Sequence, residues 1–260
     1  MAEIFRRIEK KYILNKEQYN KLIPELKKYM EEDRHGKSTI CNIYFDTEQY
    51  ELIRHSITKP YYKEKVRLRS YNTPNKDSRV YLEIKRKCEN VVGKRRIEMT
   101  LSEFENYIKN PNTLTNVNNQ IKKELDYTFK LYNLQPAMYL SYSRTAYYQK
   151  DNFDFRATFD SNVIARQYDL NLESGSYGEE LLDKDKYILE IKTLGIIPMW
   201  FVNLINELEI KPGNFSKYGE AYEQIIMGKC LPKRSEVTAI RSVHNKTKSI
   251  LKPARILYQV

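Results

Sequence analysis

The chain has 260 residues, 41% of them hydrophobic, enough to give one large domain or two small ones a substantial core. Its 45 basic and 34 acidic residues leave a formal net charge of +11, which favours anionic partners: nucleic acid, phosphorylated metabolites or an anionic membrane surface. The longest apolar stretch, Leu194 to Ile205, is too short to span a bilayer and contains Pro198, and no signal-like apolar run opens the sequence, so a soluble cytoplasmic protein is expected. Cys41, Cys88 and Cys230 lie far apart without metal-ligand spacing, which fits a reducing compartment.

The chain opens with an alternating segment, Glu3 to Leu14, which reads as a strand with Arg7, Glu9 and Lys11 on one face. Asn15 is placed to cap a helix running to about Met30, with Tyr19, Leu22, Ile23 and Leu26 as its apolar stripe. A polar turn is expected from Glu31 to Ser38. Its Gly36-Lys37-Ser38 ends like a phosphate-binding loop, but Glu31 stands where the leading glycine belongs, and the context is helix to strand. Strands follow at Thr39 to Phe45, ending in Asp46-Thr47 as a turn or cap, and at Lys65 to Tyr71, the second presenting Arg67 and Arg69 on one face. After a hairpin loop, Val80 to Lys87 offers Glu83 and Lys85, and Lys94 to Met99 offers Lys94, Arg96 and Glu98, completing an antiparallel meander.

Ser102 begins a short helix, and Asn118 to Leu134 reads as another that Pro136 ends. Strands return at Met138 to Tyr148, with Tyr142 and Arg144 on one parity, and at Phe153 to Asp160, with Arg156, Thr158 and Asp160. An acidic loop, Asp169 to Asp185, precedes the strand Tyr187 to Thr193, which carries Glu190 and Lys192 opposite Leu189 and Ile191. Pro198 starts a helix to about Glu209, Pro212-Gly213 breaks it, and Ser216 opens a last helix to about Met227. The catalytic domain is therefore drawn as residues 1–228, and residues 229–260 form a basic tail with Glu236 as its one acid.

The repeated oddity is a set of cations and carboxylates alternating on strands whose other parity is apolar. Helices are available to cover the apolar side, so the charged faces are expected to line the concave interior of a closed or nearly closed antiparallel β-barrel in an α+β fold, in preference to an open sheet with one solvated face. Two like charges about 6 Å apart at an effective dielectric near 20 repel by roughly 3 kcal/mol. Many cations gathered there therefore need interleaved acids, water or a polyanion. Arginine forks match phosphate oxygens and lysines add compact charge. Among the acids, Glu190 is the first candidate for a divalent metal held jointly with phosphate oxygens. Glu9, Glu83, Glu98 and Asp160 are read as support or as salt-bridge partners. Ser216 and Lys217 at a helix start add donors that favour an anion. The scattered His35, His55 and His244 argue against histidine catalysis.

The ordered set Arg7-x-Glu9-x-Lys11-Tyr12, Ile43-Tyr-Phe-Asp46, Val66-Arg-Leu-Arg69, Glu83-Ile-Lys85, Lys94-Arg-Arg96, Tyr142-Ser-Arg-Thr145, Arg156-Ala-Thr-Phe-Asp160, Leu189-Glu-Ile-Lys192 and Phe215-Ser-Lys-Tyr218 resembles the VTC-type polyphosphate polymerase domain. That domain is the catalytic part of the vacuolar transporter chaperone complex and belongs to the triphosphate tunnel (CYTH-like) superfamily. The resemblance runs over about residues 3–228 and implies a tunnel barrel flanked by helices that transfers the γ-phosphate of ATP to a growing polyphosphate chain, using Mn²⁺ or Mg²⁺. It also suggests a stand-alone, bacterial-type version without a sensing domain or membrane spans.

By position, the resemblance assigns the phosphate grip to Lys11, Arg67, Arg69, Lys85, Lys94, Arg144, Arg156, Ser216 and Lys217, with Tyr142 beside them, and places Arg7 and Arg96 among the substrate-binding residues. Glu190 would hold the metal and Lys192 would support it. The expected partners are ATP and inorganic polyphosphate, not nucleic acid. A membrane-protein partner for the basic tail and the oligomeric state stay open. Two other functions fit the residues: hydrolysis of tripolyphosphate or nucleoside triphosphates in the same tunnel, and polyphosphate binding without catalysis.

Overall fold

The computed structural model describes residues 8–228 except Asn90 and Asn116. Arg7 and the tail 229–260 lie outside the described residues, as does the start of the opening strand. The elements in chain order are β1 (Ile8–Asn15), α1 (Lys16–Tyr29), β2 (Met30–Asp46), α2 (Glu51–Ile57), β3 (Tyr62–Tyr71), β4 (Arg79–Cys88) and β5 (Val91–Thr100). They continue as α3 (Leu101–Lys109), α4 (Asn119–Tyr132), β6 (Gln135–Gln149), β7 (Asn152–Arg166), β8 (Glu179–Glu180), β9 (Lys186–Thr193), α5 (Met199–Glu207) and α6 (Lys217–Ala221). The fold is α+β, an antiparallel sheet with flanking helices.

One nine-stranded sheet runs in the order β1-β9-β7-β6-β2-β3-β4-β5, with β8 beside β7. Its ends, β1 and β5, do not pair with each other among the described residues. The tunnel is thus a curl of an open sheet, not a ring closed by hydrogen bonds. The curl still brings distant strands together: Lys85 on β4 lies within the electrostatic influence of Glu9 and Lys11 on β1 and of Glu190 and Lys192 on β9.

Strand parity decides the layers, because successive side chains point to opposite faces. On the convex side, Val66, Leu68, Leu82, Ile84 and Ile97 pack against Phe104 and Tyr107 of α3 and Leu125 of α4. Phe155, Ala157, Phe159, Leu189 and Ile191 likewise pack against Leu22 and Leu26 of α1 and Phe201 of α5. A third cluster joins Ile40, Tyr44, Met138, Leu140, Tyr142 and Ile188 to Ile53 of α2 and to Phe215, Tyr218 and Tyr222. Ile40, Tyr44 and Tyr142 share the parity of the charged residues, so part of the concave face is apolar and carries α2 and the segment containing α6.

Two local readings change, and one helix is added. The expected turn at Glu31 to Ser38 is part of the continuous strand β2, because its backbone finds partners on β6: Glu31 pairs with Tyr148 and Glu32 with Tyr147. The irregularity sits between Glu32 and Lys37, where Gly36 adopts φ 55°, a conformation glycine accepts at no steric cost. Helix α2 has no capping signal in the residue before it; its first turn is capped by Asp46, which accepts from the backbone N–H groups of Leu52 and Ile53. The last helix is five residues long and passes into a wider π-type turn at Tyr222–Ile226, which packs Tyr222, Ile225 and Ile226 against the third cluster.

Candidate functional site in the curled sheet

The register stacks the charged residues of the concave face in rows. Arg67 lies opposite Glu83, which lies opposite Arg96; Lys65 lies opposite Lys85, which lies opposite Lys94. Across the sheet, Lys11 faces Glu190, which faces Thr158, while Glu9 faces Lys192, which faces Arg156. Arg144 faces Asp160. Strand alternation alone brings these side chains to one surface.

Three carboxylates act as clamps there. Glu83, with only 2% of its side chain exposed, accepts from Arg67 Nε at 2.9 Å and pairs with Lys94 Nζ at 2.5 Å. Asp160, wholly buried, takes Arg144 Nε at 2.6 Å and Nη2 at 2.7 Å, and Lys217 Nζ at 2.6 Å. Glu190 pairs with Lys192 at 2.6 Å and Lys11 at 3.5 Å, and Lys11 also reaches Glu9 at 3.6 Å. Burial would raise the pKa of Glu83, but Arg67, Arg69 and Lys94 outweigh it and bring it down to about 2. Burial opposes ionisation at Asp160 and Glu190 too, and the surrounding cations again hold both carboxyls below their ordinary range. Every clamp is therefore an ionised acid holding two or more cations in fixed positions.

Other cations lack such a partner. Arg69 donates to Asn42 Oδ1 and to the Tyr142 hydroxyl, both at 3.0 Å, and so is held by neutral groups. Lys65 donates to Ser216 Oγ at 3.1 Å. Neither of these residues, nor Lys85, has a carboxylate within salt-bridge distance among the described residues. Burial lowers the pKa of Lys65 to about 8, aided by nearby Lys63, Lys11 and Lys85, and burial likewise lowers that of Lys85. Tyr44 receives a hydrogen bond from Arg67 Nη1 at 3.2 Å. Burial would push its pKa up, but Arg67, Lys65 and Arg69 bring it down to about 8.

Most of the residues proposed from sequence meet here. Tyr142 lies beneath two cations, with Arg144 Cζ at 5.1 Å and Lys217 Nζ at 4.5 Å from its ring centre. Arg156 is exposed on the same face, in register with Lys192. Arg96 is also exposed; though in register with Glu83, it stacks on Tyr81 at 4.9 Å and makes no ion pair with that clamp. Of the supporting acids, Glu98 pairs with Arg79 at 3.2 Å instead of joining a tunnel clamp. Sequence reasoning passed over Lys65, Asn42 and Tyr44. Lys65 was legible as the next residue of the Arg67, Arg69 parity; Asn42 and Tyr44 carry no charge to flag them.

The donor set also bears on a metal. Among the described residues no three His, Cys, Asp or Glu side chains converge in a metal-binding group. Glu190 with Glu9 nearby suits an ion bound through one or two carboxylates and completed by phosphate oxygens, as Mg²⁺ commonly is. The described residues alone offer no full coordination cage.

A concave, curled antiparallel sheet bearing rows of clamped cations defines a tunnel protein for an anionic ligand. The profile of the VTC domain matches residues 6–226, and the chain belongs to that family, within the triphosphate tunnel (CYTH-like) fold. No curated protein matches by sequence. Among solved structures, a candidate adenylate cyclase from Bacillus halodurans is 15% identical with a TM-score of 0.51, over 81% of this chain and 95% of that one. A candidate adenylyl cyclase from Hippeastrum, described as having a dominant triphosphatase activity, is also 15% identical, with a TM-score of 0.48 over 87% of this chain and 98% of that one. Among the described residues no helix is long and apolar enough to cross a membrane.

Proposed function

We propose that this protein is a polyphosphate polymerase that transfers the γ-phosphate of ATP to the end of an inorganic polyphosphate chain. The observation that carries this reading is the division of the concave face: ionised Glu83, Asp160 and Glu190 fix one set of cations, while Lys65, Lys85 and Arg69 have no carboxylate within salt-bridge distance among the described residues. A phosphate chain supplies the missing negative charge at closely spaced intervals. Arg67, Arg69, Lys85, Lys94, Arg144, Arg156, Lys11 and Lys217 grip the nucleotide and chain phosphates, with Lys65, Tyr142, Ser216, Lys192 and Arg96 beside them. Arg7, outside the described residues, is proposed as a further substrate-binding residue.

In the reaction the terminal oxygen of the chain forms a bond to the γ-phosphorus of ATP while the bond to the β-phosphate oxygen breaks, releasing ADP. The attacking oxygen is already an anion, so no side chain has to act as nucleophile or remove a proton. The cations stabilise charge on the equatorial oxygens in line with electrostatic catalysis of phosphoryl transfer. Because the clamps hold Arg67, Lys94, Arg144, Lys11 and Lys192 in place before substrate arrives, less reorganisation of these cations is needed. Mn²⁺ or Mg²⁺, held by Glu190 with phosphate oxygens, would add charge neutralisation at the transferring group.

The test is incubation with ATP and Mn²⁺ followed by gel detection of polyphosphate. Long chains that vanish in Lys217→Ala and Glu190→Gln support the proposal. Release of free phosphate without chain growth would assign a hydrolase instead. Chain binding with no turnover, unaltered by Glu190→Gln, would assign a binding module.

A further inference from the structure

Two residues of the sequence signature make no contact with the tunnel cations: Asp46 at the end of β2 and the Tyr218 that follows Ser216-Lys217. The structure joins them. Asp46 is completely buried, and the Tyr218 hydroxyl donates to its Oδ2 at 2.9 Å. The other contacts of this carboxylate are backbone N–H groups: Thr47 at 2.9 Å and Leu52 at 2.8 Å on Oδ1, and Ile53 at 3.0 Å on Oδ2. Asp46 is thus fixed by the start of α2 before Tyr218 reaches it. The Tyr218 ring in turn stacks on Tyr44, centroids 4.4 Å apart and planes 16° apart.

The residues immediately before Tyr218 face the tunnel. Lys217 pairs with Asp160 on β7 at 2.6 Å, and Ser216 accepts from Lys65 on β3 at 3.1 Å. These two contacts reach different walls of the curled sheet, so a small displacement of the segment would spoil both. Each also engages a cation that an incoming phosphate would attract, and neither can be relied on to hold the segment once the ligand is bound. The Asp46–Tyr218 hydrogen bond is buried away from that competition.

We infer that Asp46 and Tyr218 are positioning residues, a buried anchor that holds Ser216 and Lys217 at the phosphate path while their own tunnel contacts exchange for ligand. This rests on the reading of the tunnel as a phosphate site, and deepens it by separating the groups that touch phosphate from the bond that places them.

Tyr218→Phe is the direct test, because it keeps the stacked ring and deletes only the hydroxyl. Two readouts are needed. The first is the rate at which an amine-reactive reagent labels Lys217, mapped by mass spectrometry, with Lys11 and Lys192 as internal references. Faster labelling of Lys217 with the references unchanged is expected; unchanged labelling of Lys217, or an equal rise at all three, would overturn the inference. The second is calorimetric binding of inorganic tripolyphosphate, without nucleotide or metal, in a double-mutant cycle. Tyr218→Phe should weaken binding about tenfold in the wild-type background and less than about twofold once Lys217→Ala is present. Equal losses in both backgrounds, or no loss in the first, would show that the anchor does not act through Lys217. If the unmodified protein binds no tripolyphosphate, the phosphate-site reading fails, while a selective rise in Lys217 labelling would still establish the anchor.

Discussion

On the wall built from β1, β9, β7 and β6, Lys11, Lys192 and Arg144 lie within salt-bridge distance of a carboxylate, and Lys217 from the following segment joins Asp160 there. On the facing β3–β4 wall, Glu83 is the one acid among the described residues that clamps cations in the tunnel, and Lys65 and Arg69 rely on hydroxyl and amide oxygens. The first wall is largely neutralised before any ligand arrives; the second keeps uncompensated positive charge. The difference separates two tasks that look alike in sequence, presenting rigid donors and attracting the anion. It also explains why burial can hold Lys65 near a pKa of about 8, while the acids beside Lys11 outweigh its burial and raise its pKa.

The largest effect that should break this contrast is loss of a clamp. Asp160→Asn leaves Arg144 and Lys217 without their shared acid in a buried place, and should cost about 3–5 kcal/mol of unfolding free energy. Urea denaturation would measure it; a change under about 1 kcal/mol would mean that the clamp does not organise this wall. Acid should act in the same direction. Glu83 ionises at about 2 in the folded chain against an ordinary 4.5, so its contribution to stability is full above that ordinary value and is lost as the pH falls toward 2. Denaturation midpoints across this range should show the loss, and Glu83→Gln should flatten it.

Binding then distinguishes the walls. Lys65→Ala should weaken tripolyphosphate binding about tenfold, more than Lys192→Ala, because Lys192 already has Glu190 as counterion. Calorimetry ranking the two in the opposite order would remove the special status of the β3–β4 wall. A smaller effect is expected from pH. Lys65 loses its proton and Tyr44 becomes anionic near pH 8, so affinity should fall between pH 7 and pH 9. Lys65→Arg should remove one part of that fall and Tyr44→Phe the other. The smallest change should come from Arg96→Ala, less than about twofold in the same assay, since its exposed guanidinium stacks on Tyr81 and joins no clamp.

Much of this was legible along the chain because a strand writes its two faces as alternate letters. That is how Arg67 and Arg69, Glu83 and Lys85, and Glu190 and Lys192 could be placed on one surface before their partners were known. The same rule reached Lys65 but not the neutral Asn42 and Tyr44, whose importance comes from what they touch. Asp46-Thr47 was legible as a turn or cap, but helix α2 itself was not, because Asp46 caps it from outside the usual one-residue signal, accepting from Leu52 and Ile53.

The sequence by itself determined the antiparallel strands, the apolar and charged faces and the family, since each depends on local periodicity or on an ordered set of short motifs. Only the tertiary structure decided which charges neutralise one another. The curl of the sheet brings Lys85 near Glu9 and Glu190, and the chain's return brings Lys217 to Asp160 and Tyr218 to Asp46. Coulomb and hydrogen-bond energies depend on distance and burial, and for residues so far apart in the chain the fold sets both.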